Sequence, residues 1–233
     1  MKVNRFWQQF NVTEKYIIPY IGVIGNTVLD IGCGEGGELI PFLKLGYKVT
    51  GIDKSGSKIE YAKEYYMKSN YKPELIIGDI YSTKIHKTFD LIILKDTLEH
   101  IHNQGGFMYY LKRYMNYNTK IFIAFSPWSM PFGGHQQMCN SFLRYIPYLH
   151  LLPFYEYLLR LFENPKKVNA LLEIKETKIS IMQFKEIIKG YKIHKESFYL
   201  ISPSYIKFGL RPVSFLNILF LITSYWCVIS KNN

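Results

Sequence analysis

With 233 residues, 48% hydrophobic and 20% charged, and with no internal repeat or low-complexity linker, the chain reads as one globular domain with room for an inserted subdomain. Cys33, Cys139 and Cys227 lie far apart without C-x-x-C spacing, which excludes a zinc ribbon or a disulfide framework and fits a reducing cytoplasm. A formal charge of +11 keeps anionic substrates, nucleic acid and anionic membrane surfaces in view, while MKVNRFWQQF lacks the apolar core of a secretory signal.

Residues 3–21 predict a helix, with Phe6, Phe10, Tyr16 and Ile17 partly on one face and Pro19 limiting its end. Val28, Leu29 and Ile31 then form the continuous apolar run of a strand covered on both faces. The run breaks into the glycine-rich turn of VLDIGCGEGG, where Gly32, Gly34, Gly36 and Gly37 let the backbone turn tightly against a ligand. Glu38 to Leu45 follow as a helix closed by Gly46. Tyr47 to Asp53 make a second strand ending on a carboxylate.

Gly32, Gly34 and Gly37 satisfy the loose G-x-G-x-x-G pattern, with Asp53 at about the spacing of a ribose contact. The acidic residues choose the ligand. Asp30 and Glu35 would repel a pyrophosphate here, whereas S-adenosylmethionine carries a sulfonium and an ammonium that carboxylates favour.

D-x-G-x-G-x-G after a strand, with an acidic residue ending the next strand, resembles the class I S-adenosylmethionine-dependent methyltransferases, over residues 25–127 and by pattern beyond them. The resemblance implies a Rossmann-like α/β fold: a doubly wound, mostly parallel seven-stranded sheet with an antiparallel last strand. It implies that Asp30, Gly32 and Gly34 lie against the methionine part of the cofactor and that Asp53 holds the ribose hydroxyls. Lys54 would line the adenine side, Asp79 would contact the adenine amino group, and Ile80 would lie on its face.

Further along, Ser55 to Ser69 predict a capped helix, Pro73 resets the chain, and Glu74 to Ile77 form strand three. FDLIIL, Phe89 to Leu94, is strand four. Lys95 opens the following loop and is placed with the cofactor-side residues. Its run Leu98-Glu99-His100 resembles the family's loop beneath the transferring methyl. Asp96, Glu99 and His100 are also spaced like the magnesium ligands of ubiquinone-pathway O-methyltransferases, although glutamate is typical at the first position there. A helix cap and pocket wall is the preferred reading, and no metal is expected. The NPPY-like sequence of nucleic-acid amino methyltransferases is absent, so nucleic acid is not the expected partner.

Gln104 to Tyr117 predict the next helix and Lys120 to Phe125 strand five. The loop SPWSMPFGGH then places His135 at the sheet edge where substrates enter such folds, a candidate proton acceptor with His100 as the second. Residues 128–178, rich in Leu, Tyr and Phe and broken by Pro147 and Pro153, predict an inserted helical lid. It would enclose a lipophilic or aromatic acceptor, or touch a membrane surface beside Arg144, Arg160, Lys166 and Lys167.

Ser180 to Lys189 predict the last helix and Tyr191 to Ile201 strand six. The apolar stretch Val213 to Ile229 approaches the length of a membrane span, yet Asn217 interrupts it and Ser224 to Ser230 have the composition of the antiparallel last strand. The expected function is methyl transfer from S-adenosylmethionine to a small molecule, first of all to oxygen. The alternatives are an RNA methyltransferase and a non-catalytic cofactor-binding or membrane-surface protein. The sequence leaves oligomeric state and acceptor open, and the expected location is the cytoplasm, with peripheral membrane contact allowed.

Overall fold

Apolar residues alternate along each central strand, so every strand contributes to two cores. In β4 (Phe89–Lys95), Ile92 and Leu94 face one helical layer while Leu91 and Ile93 face the other. The computed structural model describes residues 5–199 and 222–232. Around β4 lie β1 (Thr27–Ile31), β2 (Lys48–Asp53), β3 (Glu74–Ile77), β5 (Met115–Phe125), β6 (Tyr191–Tyr199) and β7 (Ser224–Lys231). Their order is β3-β2-β1-β4-β5-β7-β6. β1 to β5 pair in parallel, and β7 runs antiparallel to both β5 and β6. The doubly wound seven-stranded sheet with its antiparallel last strand is therefore present, β7 lying where the sequence placed it.

One face is covered by α1 (Arg5–Val12), α2 (Ile18–Ile21), α3 (Leu39–Lys44) and α4 (Gly56–Met67), which pack Phe6, Tyr20, Phe42 and Ile59 against Val28, Val49, Phe122 and Trp226. The other carries α5 (Gln104–Leu111) and α8 (Ile181–Ile187), with Phe107, Leu111 and Phe184 against Ile92, Ile121 and Tyr225. Between β5 and α8 the chain forms short turns, α6 (Tyr155–Phe162) and α7 (Pro165–Thr177) around a small core of their own. Leu143, Tyr155, Leu159 and Leu171 are fully buried there.

The first helix ends at Ile21 as expected, and two boundaries, the end of the fifth helix and the start of β5, differ from the sequence expectation. The first helix runs through Pro19 to Ile21, because a widened turn over Thr13–Ile17, with the Ile18 N–H donating to Thr13 O, precedes the proline ring. The fifth helix stops at Leu111 rather than Tyr117. Met115 pairs with Phe89, and the Thr119 hydroxyl and the Asn116 amide hold the Phe89 carbonyl and the Asp90 carboxylate, so β5 starts five residues early. β3 passes to β4 through residues 78–88 without a crossover helix. Residues 3–4, Ile201 and positions 213–221 of the apolar stretch lie outside the described residues. Among the described residues no helix is long and apolar enough to cross a membrane.

Phe122 is fully buried, with its ring edge-on to Tyr20 and Trp226. Phe122→Ala is expected to lower the unfolding free energy by about 3–5 kcal/mol. The shift of the urea midpoint at unchanged m-value measures it.

Candidate functional site

Strands β1, β2 and β4 deliver their C-terminal ends to one edge of the sheet, and the loops that leave them carry the candidate residues. β1 ends into the glycine turn. Gly32 takes φ 83°, and a Cβ there would lie 2.4 Å from the Thr97 hydroxyl, which donates to Ile31 O at 2.9 Å. Thr97 thus seals the underside of the turn, a role that the sequence did not announce. Asp53 closes the turn from β2: one carboxylate oxygen accepts from Gly34 N at 2.9 Å and the other from Ser55 N at 2.8 Å. Each Asp53 oxygen has one further lone pair after those bonds, so the carboxylate keeps acceptor capacity for two hydroxyls. Above it α1 crosses closely enough that a Cβ on Gly37 would strike the Phe6 carbonyl at 2.0 Å.

Behind the turn lie two buried carboxyl groups. Asp30 is 1% exposed and its Oδ2 accepts no hydrogen bond. Glu38, which the sequence marked only as the first residue of a helix, is 2% exposed and its Oε2 is likewise unpartnered, 4.0 Å from Lys95 Nζ. Burial, and then the Glu38 charge, push the Asp30 carboxyl well above the carboxylate range. Burial raises Glu38 to about 7 against the pull of Lys95. Lys95 itself is kept charged: burial would lower its pKa, but Asp96, at 2.7 Å, and Glu38 raise it.

Two buried carboxylates with open oxygens beside a glycine turn fit a ligand carrying positive charge, as the sulfonium and ammonium of S-adenosylmethionine do. Asp30, Glu38 and Asp53 are the residues here that would hold it.

On the outer side, Asp79 pairs with Lys54 at 2.9 Å and accepts from Tyr81 N. Ile80 is 4% exposed and packs in the core, its carbonyl accepting from the hydroxyls of Tyr110 and Tyr114. Lys54, Tyr81 and His100 then open onto a groove of about 780 Å³ that runs along α5 to Lys112 and Arg113.

Two loops bring the histidines together. Asp96 and His135 both hold left-handed backbone, φ 51° and 54°, a cost that recurs where geometry serves a site. The His100 and His135 rings meet edge to face with centroids 5.8 Å apart. Burial, and then the neighbouring His100, lower His135 to about 4, with Asp96 opposing, and burial lowers His100 as well. Burial thus favours the neutral form of both imidazoles. His135 is steered by its neighbours: His150 is buried, its Nε2 2.6 Å from Trp128 O, and a Cβ on Gly134 would collide with it at 2.3 Å. Glu99 is buried with an unpartnered Oε2 and is raised to about 8 by burial and then by Asp96. Among the described residues no group of three His, Cys, Asp or Glu side chains is arranged to hold a metal ion.

Glu38 and Glu99 bind their protons more tightly folded than unfolded, so they subtract stability once the unfolded carboxylates ionise. Stability of the ligand-free chain is expected to fall as pH rises from about 5 through about 8, by up to about 1.4 kcal/mol per pH unit for each group, with Asp30, whose carboxyl is raised in the same direction, adding to the fall. Glu38→Gln is expected to flatten the lower part of that fall, read as urea midpoints across the same range.

A family model described as methyltransferase domain matches residues 24–151, more than half of the chain. (S)-tetrahydroprotoberberine N-methyltransferase of Eschscholzia californica is 34% identical over 103 residues, 42% of this chain and 29% of that protein. A ubiquinone biosynthesis O-methyltransferase of Rickettsia canadensis is 30% identical over 107 residues, 46% of this chain and 45% of that protein. The match thus spans less than half the length of either relative. Among solved structures, plantazolicin methyltransferase BpumL with S-adenosylhomocysteine (SAH) and a desmethyl-plantazolicin analogue superposes with a TM-score of 0.58 at 17% identity, over 98% of this chain and 84% of that one. A Pyrococcus horikoshii protein gives 0.61 at 18% identity over 99% and 93%. With the glycine turn, the acidic strand end and the strand order now joined to a family match over more than half its length, the chain belongs to the methyltransferase-domain family, within the class I S-adenosylmethionine-dependent fold.

Proposed function

We propose that this protein transfers a methyl group from S-adenosylmethionine to the hydroxyl of a small lipophilic or aromatic acceptor, in the cytoplasm. One observation carries the reading: buried carboxylates with open oxygens lie behind a glycine turn, and the loop after β4 leads from them to a pair of neutral histidines. When bound, S-adenosylmethionine supplies a methyl carbon already activated by a positive sulfur.

The chain's own work is to hold, orient and deprotonate. Asp30 and Glu38 would attract the cationic end, their ionisation favoured by that charge. Asp53, fixed by Gly34 N and Ser55 N, would accept both ribose hydroxyls, with Asp79 and Lys54 at the adenine end. Residues 128–178 would form the lid that excludes water; Trp128 N bonds Ile179 O at 2.9 Å, tying its two ends together. Alignment of acceptor and methyl can contribute about 7–11 kcal/mol.

Proton removal falls to His135, with His100 beside it. An imidazole held near pKa 4 is a weak base, which suits a hydroxyl that is itself acidic. A phenol, at about pKa 10, is such a group, and this favours an aromatic acceptor and oxygen over an aliphatic alcohol. The relatives include both O- and N-methyltransferases by name, so the methylated atom rests on this argument.

A second reading, an RNA acceptor, is favoured by the groove along α5: Lys54, Lys112 and Arg113 line it with Tyr81, Tyr109 and Tyr110, and among the described residues no carboxylate does. RNA binding that weakens steeply with salt would favour it over a small acceptor.

Asp53→Ala is expected to weaken SAH binding by about tenfold or more, since each charge-assisted hydroxyl bond contributes roughly 1.5–3 kcal/mol. Calorimetry measures it, and unchanged affinity would remove the ribose assignment. His135→Ala is expected to lower turnover by about 10²–10⁴-fold with SAH affinity retained. Labelled donor offered with phenolic, quinol, lipid and glycan extracts reads it. Through this group the parent's rate is expected to hold from neutral pH down and to fall only as pH drops through about 4.

A further inference from the structure

The lid's outer surface is more apolar than its packing requires. In α6, Tyr155 and Leu159 face inward and are fully buried. Tyr157 and Leu161, two residues on from each, point to the opposite side and are 67% and 59% exposed, with Phe154 at 50% one turn earlier. Beside α6 the turn Phe142–Tyr145 exposes two more rings: Phe142, 56% exposed, packs edge-on against Phe162 at 5.1 Å, and Tyr145 is 75% exposed beside the Arg144 guanidinium. A helix with an outward aromatic and leucine stripe is the form that lies in the interface of a bilayer.

Charge identifies the partner. Within residues 142–167, Arg144 and Lys166 are exposed and Lys167 half-buried, while the two acids of that segment are engaged: Glu156 pairs with Arg160 and Lys175, and Glu163 accepts from the backbone of Asn140 and Ser141. A second copy would bring the same basic residues and the same net +11, which opposes self-association. An anionic surface matches both the basic residues and the stripe.

We propose that residues 142–167 seat the protein on an anionic phospholipid bilayer, with the Phe154, Tyr157 and Leu161 stripe inserted and Arg144, Lys166 and Lys167 at the headgroups. This rests on the lid reading of the proposed function and gives it a substrate source: acceptors dissolved in the membrane. Lid and histidine loop are one continuous stretch, and the far end of the lid is tied to the loop after β4 through the Thr177 hydroxyl, which donates to Glu99 O.

The test is co-sedimentation of the full chain with phosphatidylglycerol vesicles and with phosphatidylcholine vesicles. The expected result is binding to the former alone, weakened by salt, and weakened roughly tenfold in Y157S/L161S, whose side chains leave the folded core untouched. A second variant, K166E/K167E, is expected to lose binding to the anionic vesicles while keeping the apolar stripe. SAH calorimetry on every variant reports the cofactor site separately. Equal sedimentation of parent and both variants, or no sedimentation by a chain that binds SAH, overturns the docking face and leaves methyl transfer standing. Light scattering that shows a dimer abolished by Y157S/L161S assigns the stripe to a second copy and overturns it too.

Discussion

Two buried carboxyl groups behind the first strand, each with an oxygen left without a partner, are the constraint on which the site depends. Asp30 and Glu38 are carried into the interior by elements that the hydrophobic effect assembles regardless of them: β1, buried on both faces, and α3, whose Leu39, Ile40 and Phe42 are core. The sheet and the helix start take these carboxyl groups out of water, and the Lys95 charge that opposes their protonation is outweighed by burial at both. Such an arrangement costs stability in the empty protein and is relieved by a cation that enters from the cleft. The fold therefore holds its ligand preference as electrostatic strain rather than as a finished set of contacts.

Around those carboxyl groups the remaining geometry is sorted by distance from the glycine turn. Residues touching the turn are fixed by backbone bonds, as Asp53 is by two N–H groups. Residues farther out meet only through tertiary packing. Asp96 and His135 come from different strand ends, and each must adopt left-handed backbone to face the other's loop. The His135 loop keeps that shape because Gly133 and Gly134 admit the Trp128 carbonyl and the His150 side chain where any Cβ would collide.

This gradient also explains what the sequence made legible. Gly32, Gly34 and Asp53 were readable because a tight turn and a strand end each demand particular residue types at short range. The end of the fifth helix was misread because Leu111, Tyr114 and Met115 have helical spacing, while the pairing of Met115 with Phe89 that overrides it lies 26 residues away. Glu38 escaped notice because an acid at a helix start is ordinary; only its burial beside Asp30 makes it unusual. His100 and His135 were each visible as a candidate, but nothing local said that their rings would touch. The widened turn before Pro19 left no local signal either.

The order in which the polypeptide emerges during synthesis gives β7 a further significance. Tyr20 donates its hydroxyl to the Trp226 carbonyl across 206 positions, and Trp226 and Phe122 share one aromatic cluster with it. Until residues 224–231 have cleared the ribosome, β5 presents an open apolar edge and α2 lacks the Trp226 ring and carbonyl that hold Tyr20. Long-range closure of this kind makes for slow maturation, and nascent forms halted before that strand would be targets for chaperones and proteases.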